Sequence, residues 1–136
     1  MKKILQKIIG VCYHYIKKGK VANYIPELKV DGAESGKLLV VGWGGTYGHL
    51  LSAVQEVRAE GIDVSFAHFD YIMPLPKNTA DVFEKFDKIL VCELNSGQFV
   101  NYLRALMPQF KYEQFNKVQG QPFLVQEITT AIKENF

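Results

Sequence analysis

The chain has 136 residues, 48% of them hydrophobic and 22% charged, enough for one domain with a real core and contrary to disorder. Its net charge of +2 is uneven: residues 1–20 carry six lysines and no acid, leaving ten basic against fourteen acidic side chains, a mildly acidic body with no sign of nucleic-acid binding. The two cysteines, Cys12 and Cys92, lie far apart, which excludes a disulfide scaffold and a four-cysteine zinc or iron–sulfur site within the chain and makes the cytoplasm the simplest setting.

In chain order, Ile4, Leu5, Ile8, Ile9, Cys12, Tyr15 and Ile16 recur at helical spacing, so residues 2–18 read as a basic amphipathic helix that Gly19 stops. Gln6 and Lys7 interrupt its apolar run and no cleavage site follows, unlike a signal peptide. No run reaches the about 18 apolar residues that span a bilayer. Attachment to anionic lipid through this helix ranks last among the readings, because Tyr13, His14 and Tyr15 blur its polar face. Residues 27–30 can form a short edge strand, and residues 31–36 a polar loop. Residues 37–42 (KLLVVG) are a nearly continuous apolar run, as in a strand buried on both faces. A glycine-rich turn follows, then a helix over about 49–60 that Gly61 ends. Residues 63–69 read as a strand, and Pro74 and Pro76 make 71–76 a rigid loop. Asn78 or Thr79 can cap a helix running to about Phe86. Residues 88–93 (KILVCE) are a further buried strand. A helix over about 98–107 stops at Pro108, residues 112–115 form the last strand, and a helix over about 124–133 closes the chain. Strands alternating with helices in this rhythm mean an α/β fold with parallel strands and helices on both faces. The expected division is a basic helix (1–19), a linker with the edge strand (20–36) and the α/β domain (37–136).

In an open parallel sheet, ligands bind at the carboxyl ends of the strands, near the switch in strand order. Residues 42–48, 70–76, 93–97 and 116–122 gather there. The turn Gly42-Trp43-Gly44-Gly45-Thr46-Tyr47-Gly48 is the strongest local signal, since backbone N–H groups and a helix dipole can hold an anion. It is not the dinucleotide fingerprint, because Tyr47 stands where GxGxxG needs glycine, and it lacks the Lys-Ser/Thr pair of a P-loop. Glycines needed only for a tight turn and close packing explain it equally well. His14, His49 and His68 lie on different elements without metal-ligand spacing. Asp70 and Glu93 both end strands and can approach each other for acid–base work, or cap a neighbouring helix. Cys92 reads as an inert core thiol. Trp43 can stack on a ligand or shield the sheet edge. No catalytic constellation stands out.

Taken in order, the strings KLLVVGWGGTYG, YIMPLP, LVCELNSGQ and NKVQGQPF resemble the C-terminal domain of 2-oxoacid:ferredoxin oxidoreductase alpha subunits, in particular the 2-oxoglutarate-specific branch, and KVANYIPELKVDG resembles the linker before it. The resemblance runs from about Lys20 to Ile132. It implies a transketolase C-terminal-domain-like fold: a three-layer α/β/α sandwich around a five-stranded, mostly parallel sheet with one antiparallel edge strand. It further implies an enzyme that oxidatively decarboxylates 2-oxoglutarate with coenzyme A, giving succinyl-CoA and reduced ferredoxin. The thiamine diphosphate and iron–sulfur clusters of such an enzyme are expected elsewhere in the complex, none in this chain. Implied partners are the beta subunit and the remaining alpha domain, with ferredoxin as acceptor. The chain alone is expected to be inactive and to serve assembly. Gly42, Gly44, Gly45, Thr46, Gly48, Asn95, Asn116, Gln119 and Gly120 are the candidate ligand-binding residues, assigned to loop architecture and a crevice with no catalytic role. At Gly45 the family often has serine. The alternative reading is a free-standing binder of a small anion or nucleotide at the Gly42–Gly48 turn.

Overall fold

Two apolar runs, KLLVVG and KILVCE, too short and too β-branched for a helix, make the centre of one sheet. In the computed structural model, which describes residues 20–136, the strands are β1 (Val30–Asp31), β2 (Gly36–Trp43), β3 (Ser65–Phe69), β4 (Phe86–Glu93) and β5 (Tyr112–Asn116). They lie in the order β1-β3-β2-β4-β5. β2, β3, β4 and β5 are parallel, while β1 pairs with β3 antiparallel through Val30↔Ala67 and Asp31↔Phe66. The expected mostly parallel five-stranded sheet with one antiparallel edge strand is therefore present. The basic helix expected over residues 2–18 lies outside the described residues.

Side chains alternate across a strand, so each apolar run serves two cores. Leu38, Val40, Leu90 and Cys92 face the helices α1 (Tyr47–Ala59) and α4 (Val125–Asn135), where Leu50, Val54, Val57, Ile128 and Ile132 are buried. Leu39, Val41, Ile89 and Val91 face α2 (Thr79–Phe83) and α3 (Gln98–Leu106), packing on Phe83, Phe99, Val100 and Leu103. Burying each large side chain contributes about 1.5–3 kcal/mol. The chain passes from β2 through α1 to β3, then crosses back over the other face to β4, so the switch in strand order falls between β2 and β4.

Several boundaries differ from the sequence expectations. α1 begins at Tyr47, because a single 3₁₀ turn over Gly44–Thr46 feeds straight into it. α2 ends at Phe83, short of Phe86, because Phe86 pairs with Gly36 and extends β4. The edge strand expected at 27–30 is shorter and one residue later, Val30–Asp31. Beside it, the Asn78 side chain takes both backbone groups of Leu28: Leu28 N–H donates to Asn78 Oδ1 at 2.8 Å, and Asn78 Nδ2 donates to the Leu28 carbonyl at 2.9 Å. A side chain thus replaces a strand partner. Asn78, so engaged, makes no capping bond to α2. No helix among the described residues is long and apolar enough to cross a membrane.

Candidate functional site at the carboxyl edge of the sheet

The loops after β2 and β4 meet at the switch point and enclose a depression of about 150 Å³, lined by Trp43, Gly44, Gly45, Thr46, Leu94 and Asn95. Each wall has its own local cause. Gly42 is the last buried backbone before the turn: a Cβ there would overlap Leu50 Cδ1 and lie 2.7 Å from Thr46 Oγ1. This glycine lets α1 approach β2. Gly44 turns the chain with φ +60°, a conformation costly for other residues. Thr46 is buried, and its hydroxyl donates to the Trp43 carbonyl at 2.9 Å, closing the turn. Nothing lies within 4 Å of a Cβ built on Gly44, Gly45 or Gly48, so their backbone is open to an approaching group.

The opposite wall is held by two polar side chains. Asn95 Oδ1 accepts from the N–H groups of Gly97 (2.8 Å) and Gln98 (3.1 Å), an Asx turn leading into α3. Glu93 is fully buried at the end of β4; its two carboxylate oxygens accept from the N–H groups of Phe99 and Val100, each at 2.8 Å. Trp43 Nε1 approaches the same carboxylate at 3.5 Å, while its ring packs on Phe99 with centroids 6.1 Å apart. Of the two readings of Glu93, the capping one holds: the carboxylate saturates orphan donors at a helix N-terminus, where the dipole also favours it. Asp70 is exposed beyond β3 and does not share a site with Glu93. Burial raises the Cys92 thiol well above its ordinary pKa, reinforced by the Glu93 carboxylate, which leaves it an unreactive core residue.

Asn116 ends β5 in register with Glu93. Its Oδ1 is buried without a partner, and its Nδ2 lies 3.2 Å from where a Cβ on Gly97 would sit. Gly97, with φ +94°, is thus required both by conformation and by the close approach of Asn116; its place immediately before a helix is the one sequence signal that points to it. Gln119 and Gly120 occupy an exposed loop whose base is fixed by Lys117. That ammonium is buried and bonds the Pro122 carbonyl at 3.0 Å and the Glu127 carboxylate at 2.8 and 3.0 Å. Of the candidate residues, Gly44, Gly45, Thr46 and Asn95 share the depression; Gly42 packs beneath it, Gly48 opens α1, and Asn116, Gln119 and Gly120 are not among its lining.

A larger cleft of about 720 Å³ lies on the β1 side, lined by Lys29, Asp31, Gly44, Tyr47, Phe66, His68 and Asp70 among others. His68 and Tyr47 meet edge to face at 5.1 Å. Burial holds the His68 imidazole below its ordinary pKa, against the opposing effects of the Asp70 carboxylate and the Gly44 backbone. The sequence singled out His68 only as a lone histidine, and its cleft appears once β1 is placed beside β3.

No family model matches the chain. It is 35% identical over 115 residues to the 2-oxoglutarate oxidoreductase subunit KorA of Mycobacterium tuberculosis, covering 81% of this chain and 17% of that subunit. To subunit alpha of 2-oxoacid:ferredoxin oxidoreductase 1 of Aeropyrum pernix it is 27% identical over 124 residues, covering 85% and 19%. The chain is a homologue of 2-oxoacid:ferredoxin oxidoreductase alpha subunits. Its structure matches the 2-oxoglutarate:ferredoxin oxidoreductase from Magnetococcus marinus, solved with 2-oxoglutarate, coenzyme A and succinyl-CoA bound, with TM-score 0.78 and 28% identity over 86% of this chain and 21% of that one. A split gene transketolase shares the fold, with TM-score 0.60 and 12% identity over 79% of this chain and 41% of that one. The chain therefore spans under a fifth of the curated relatives it matches, as one domain of a longer subunit would.

The residues of the depression do not fit either cofactor group of such an oxidoreductase. Cys92 is buried within the core, and no group of three or more His, Cys, Asp or Glu among the described residues is placed to hold a metal ion. The depression offers no free carboxylate for a diphosphate-bound cation, because Glu93 is committed to α3.

Proposed function

We propose that the chain is the non-catalytic C-terminal domain, or a separate piece, of a 2-oxoglutarate:ferredoxin oxidoreductase alpha subunit, serving assembly of the enzyme. The observation that carries this reading is 35% identity over 115 residues to a 2-oxoglutarate oxidoreductase subunit, on a fold matching such an enzyme at TM-score 0.78. The assembled enzyme would oxidatively decarboxylate 2-oxoglutarate with coenzyme A and pass the electrons to ferredoxin. Its thiamine diphosphate and iron–sulfur clusters would lie in other domains or in the beta subunit. In this reading residues 37–136 form the folded body, residues 20–36 lead into it through Leu28 and β1, and residues 1–19 precede it. The candidate loop residues, Gly42 to Gly48 with Asn95, Asn116, Gln119 and Gly120, shape the carboxyl edge. The cytoplasm, where ferredoxin-linked reactions run, is the corresponding setting.

The small-anion alternative has less support. The depression at the glycine turn, about 150 Å³, is below the roughly 300 Å³ at which ligand pockets begin. The larger cleft sets the Asp70 carboxylate against Lys29 and so offers no net positive charge to a phosphate. Native affinity purification of the tagged chain from its source organism tests the proposal. The expected result is co-elution of a beta subunit with dye reduction that depends on 2-oxoglutarate and coenzyme A. A chain that elutes alone and inactive would overturn it.

A further inference from the structure

The loops at the carboxyl edge share a property that runs against the rest of the chain. Residues 42–48, 71–76, 94–98 and 118–124 contain no charged side chain, in a protein that is 22% charged; the charges beside them are Lys29 and Asp70, exposed on the β1 side, and the buried Glu93 and Lys117. All four follow parallel strands and so emerge on one side of the sheet. They also hold much of the exposed apolar surface: Tyr47 (51% exposed), Tyr71 (49%), Leu94 (39%), Val118 (70%) and Leu124 (58%). The amino edge is the reverse. Residues 32–37, 60–63 and 84–88 each carry charges, and Lys85 faces Glu34 there at 3.9 Å.

We infer that these charge-free loops of the carboxyl edge are the surface by which the domain docks against the remainder of its alpha subunit. The inference rests on the assembly reading above and deepens it. Depletion of charge with enrichment of aromatic and aliphatic side chains marks the core of a protein interface, and clustered apolar exposure marks an interaction site. Among the polar groups present, Gln98, Gln119 and Gln121 are exposed amides that hydrogen-bond in either direction without the cost of burying a charge. The loops are fixed in advance by the Thr46–Trp43, Asn95–Gly97, Glu93–Phe99 and Lys117–Pro122 hydrogen bonds, so little ordering entropy opposes docking. A lipid or nucleic-acid surface would call for a cluster of free cations, whereas among the described residues of this edge Lys117 is committed to Glu127 and Lys29 shares its cleft with Asp31 and Asp70. The relatives supply the choice of occupant. The chain matches 17–19% of their length, and under the assembly reading the remaining four fifths of such a subunit is the neighbour this domain meets.

Hydrogen–deuterium exchange comparing the free 136-residue chain with the oxidoreductase assembled around it tests the inference. The expected result is slower exchange in the assembled enzyme at residues 43–48, 94–98 and 118–124, with little change at 32–35 and 84–88. A second measurement uses the pair Val118→Glu and Leu106→Glu; Leu106 is 53% exposed at the far end of α3. Both variants should keep the wild-type melting midpoint within about 2 °C, while Val118→Glu alone weakens assembly about tenfold or more. If the chain is absent from the purified enzyme, the proposed function fails. If it is present but protection falls on another face, or Val118→Glu assembles as well as Leu106→Glu, the docking surface is wrong and the assembly role stands.

Discussion

Glu93 shows how a residue that looks catalytic can be structural. A carboxylate at the end of a central strand is where α/β enzymes place acid–base groups, yet both its oxygens are taken by backbone donors of α3. Replacing it with Gln puts an amide N–H against a backbone N–H and leaves one buried donor unpaired. The Glu93→Gln variant should lose about 2–3 kcal/mol of stability, read from the urea midpoint, with α3 exchanging first. Two glycines of the same turn should behave oppositely. Gly42→Ala forces a methyl onto Leu50 and Thr46 and should cost about 1–3 kcal/mol. Gly48→Ala places its methyl in open space within α1 and should raise stability by about 0.5–1 kcal/mol. Denaturant titration of both variants checks the pair, and equal losses would contradict the geometry.

At the scale of elements, two side chains hold loops that have little secondary structure of their own. Asn78 bonds both backbone groups of Leu28, tying the segment before β1 to the start of α2. Asn78→Ala should cost about 1–3 kcal/mol and speed proteolysis before Val30. Glu127 joins α4 to the 117–124 loop. Its carboxyl is held below its ordinary pKa first by the hydrogen bond from Lys117, then by the Leu124 N–H. A depressed carboxylate stabilises the fold above its unfolded pKa, and that contribution is lost as pH falls through the lower folded value. Stability measured from pH 7 downward should therefore decline less steeply over the acid range in Glu127→Gln than in wild type. An unchanged acid limb would show the ion pair to be without weight.

For the whole molecule, the sheet is the common wall of two cores, so neither face can be lost without exposing the other side of the same strands. Unfolding should be a single cooperative transition. Trp43, the one tryptophan in the chain, reports on the carboxyl edge, and far-ultraviolet circular dichroism reports on the helices. Their denaturation curves should coincide, whereas separated midpoints would mean that the edge loops open independently.

The sequence alone determined the α/β class, the order of strands and helices along the chain, and the resemblance to 2-oxoacid:ferredoxin oxidoreductase alpha subunits. Short apolar runs, glycine stops and four ordered loop strings are local signals, set by residues adjacent in the chain. It also located the loops that gather at the carboxyl edge, because parallel strands must deliver them to one side. What it left open was which residues in those loops work together. Glu93 with the N–H groups of α3, Asn78 with Leu28, Asn116 beside Gly97, and His68 in a cleft with Lys29 are all partnerships across elements. Each depends on strand order and register. The sequence allowed the β1 edge strand over residues 27–30; the tertiary structure made it shorter and one residue later, because the Asn78 amide takes the Leu28 backbone before a strand can. Residue types decide what each segment can become, and only the packing of distant segments decides which polar groups are left to meet a partner.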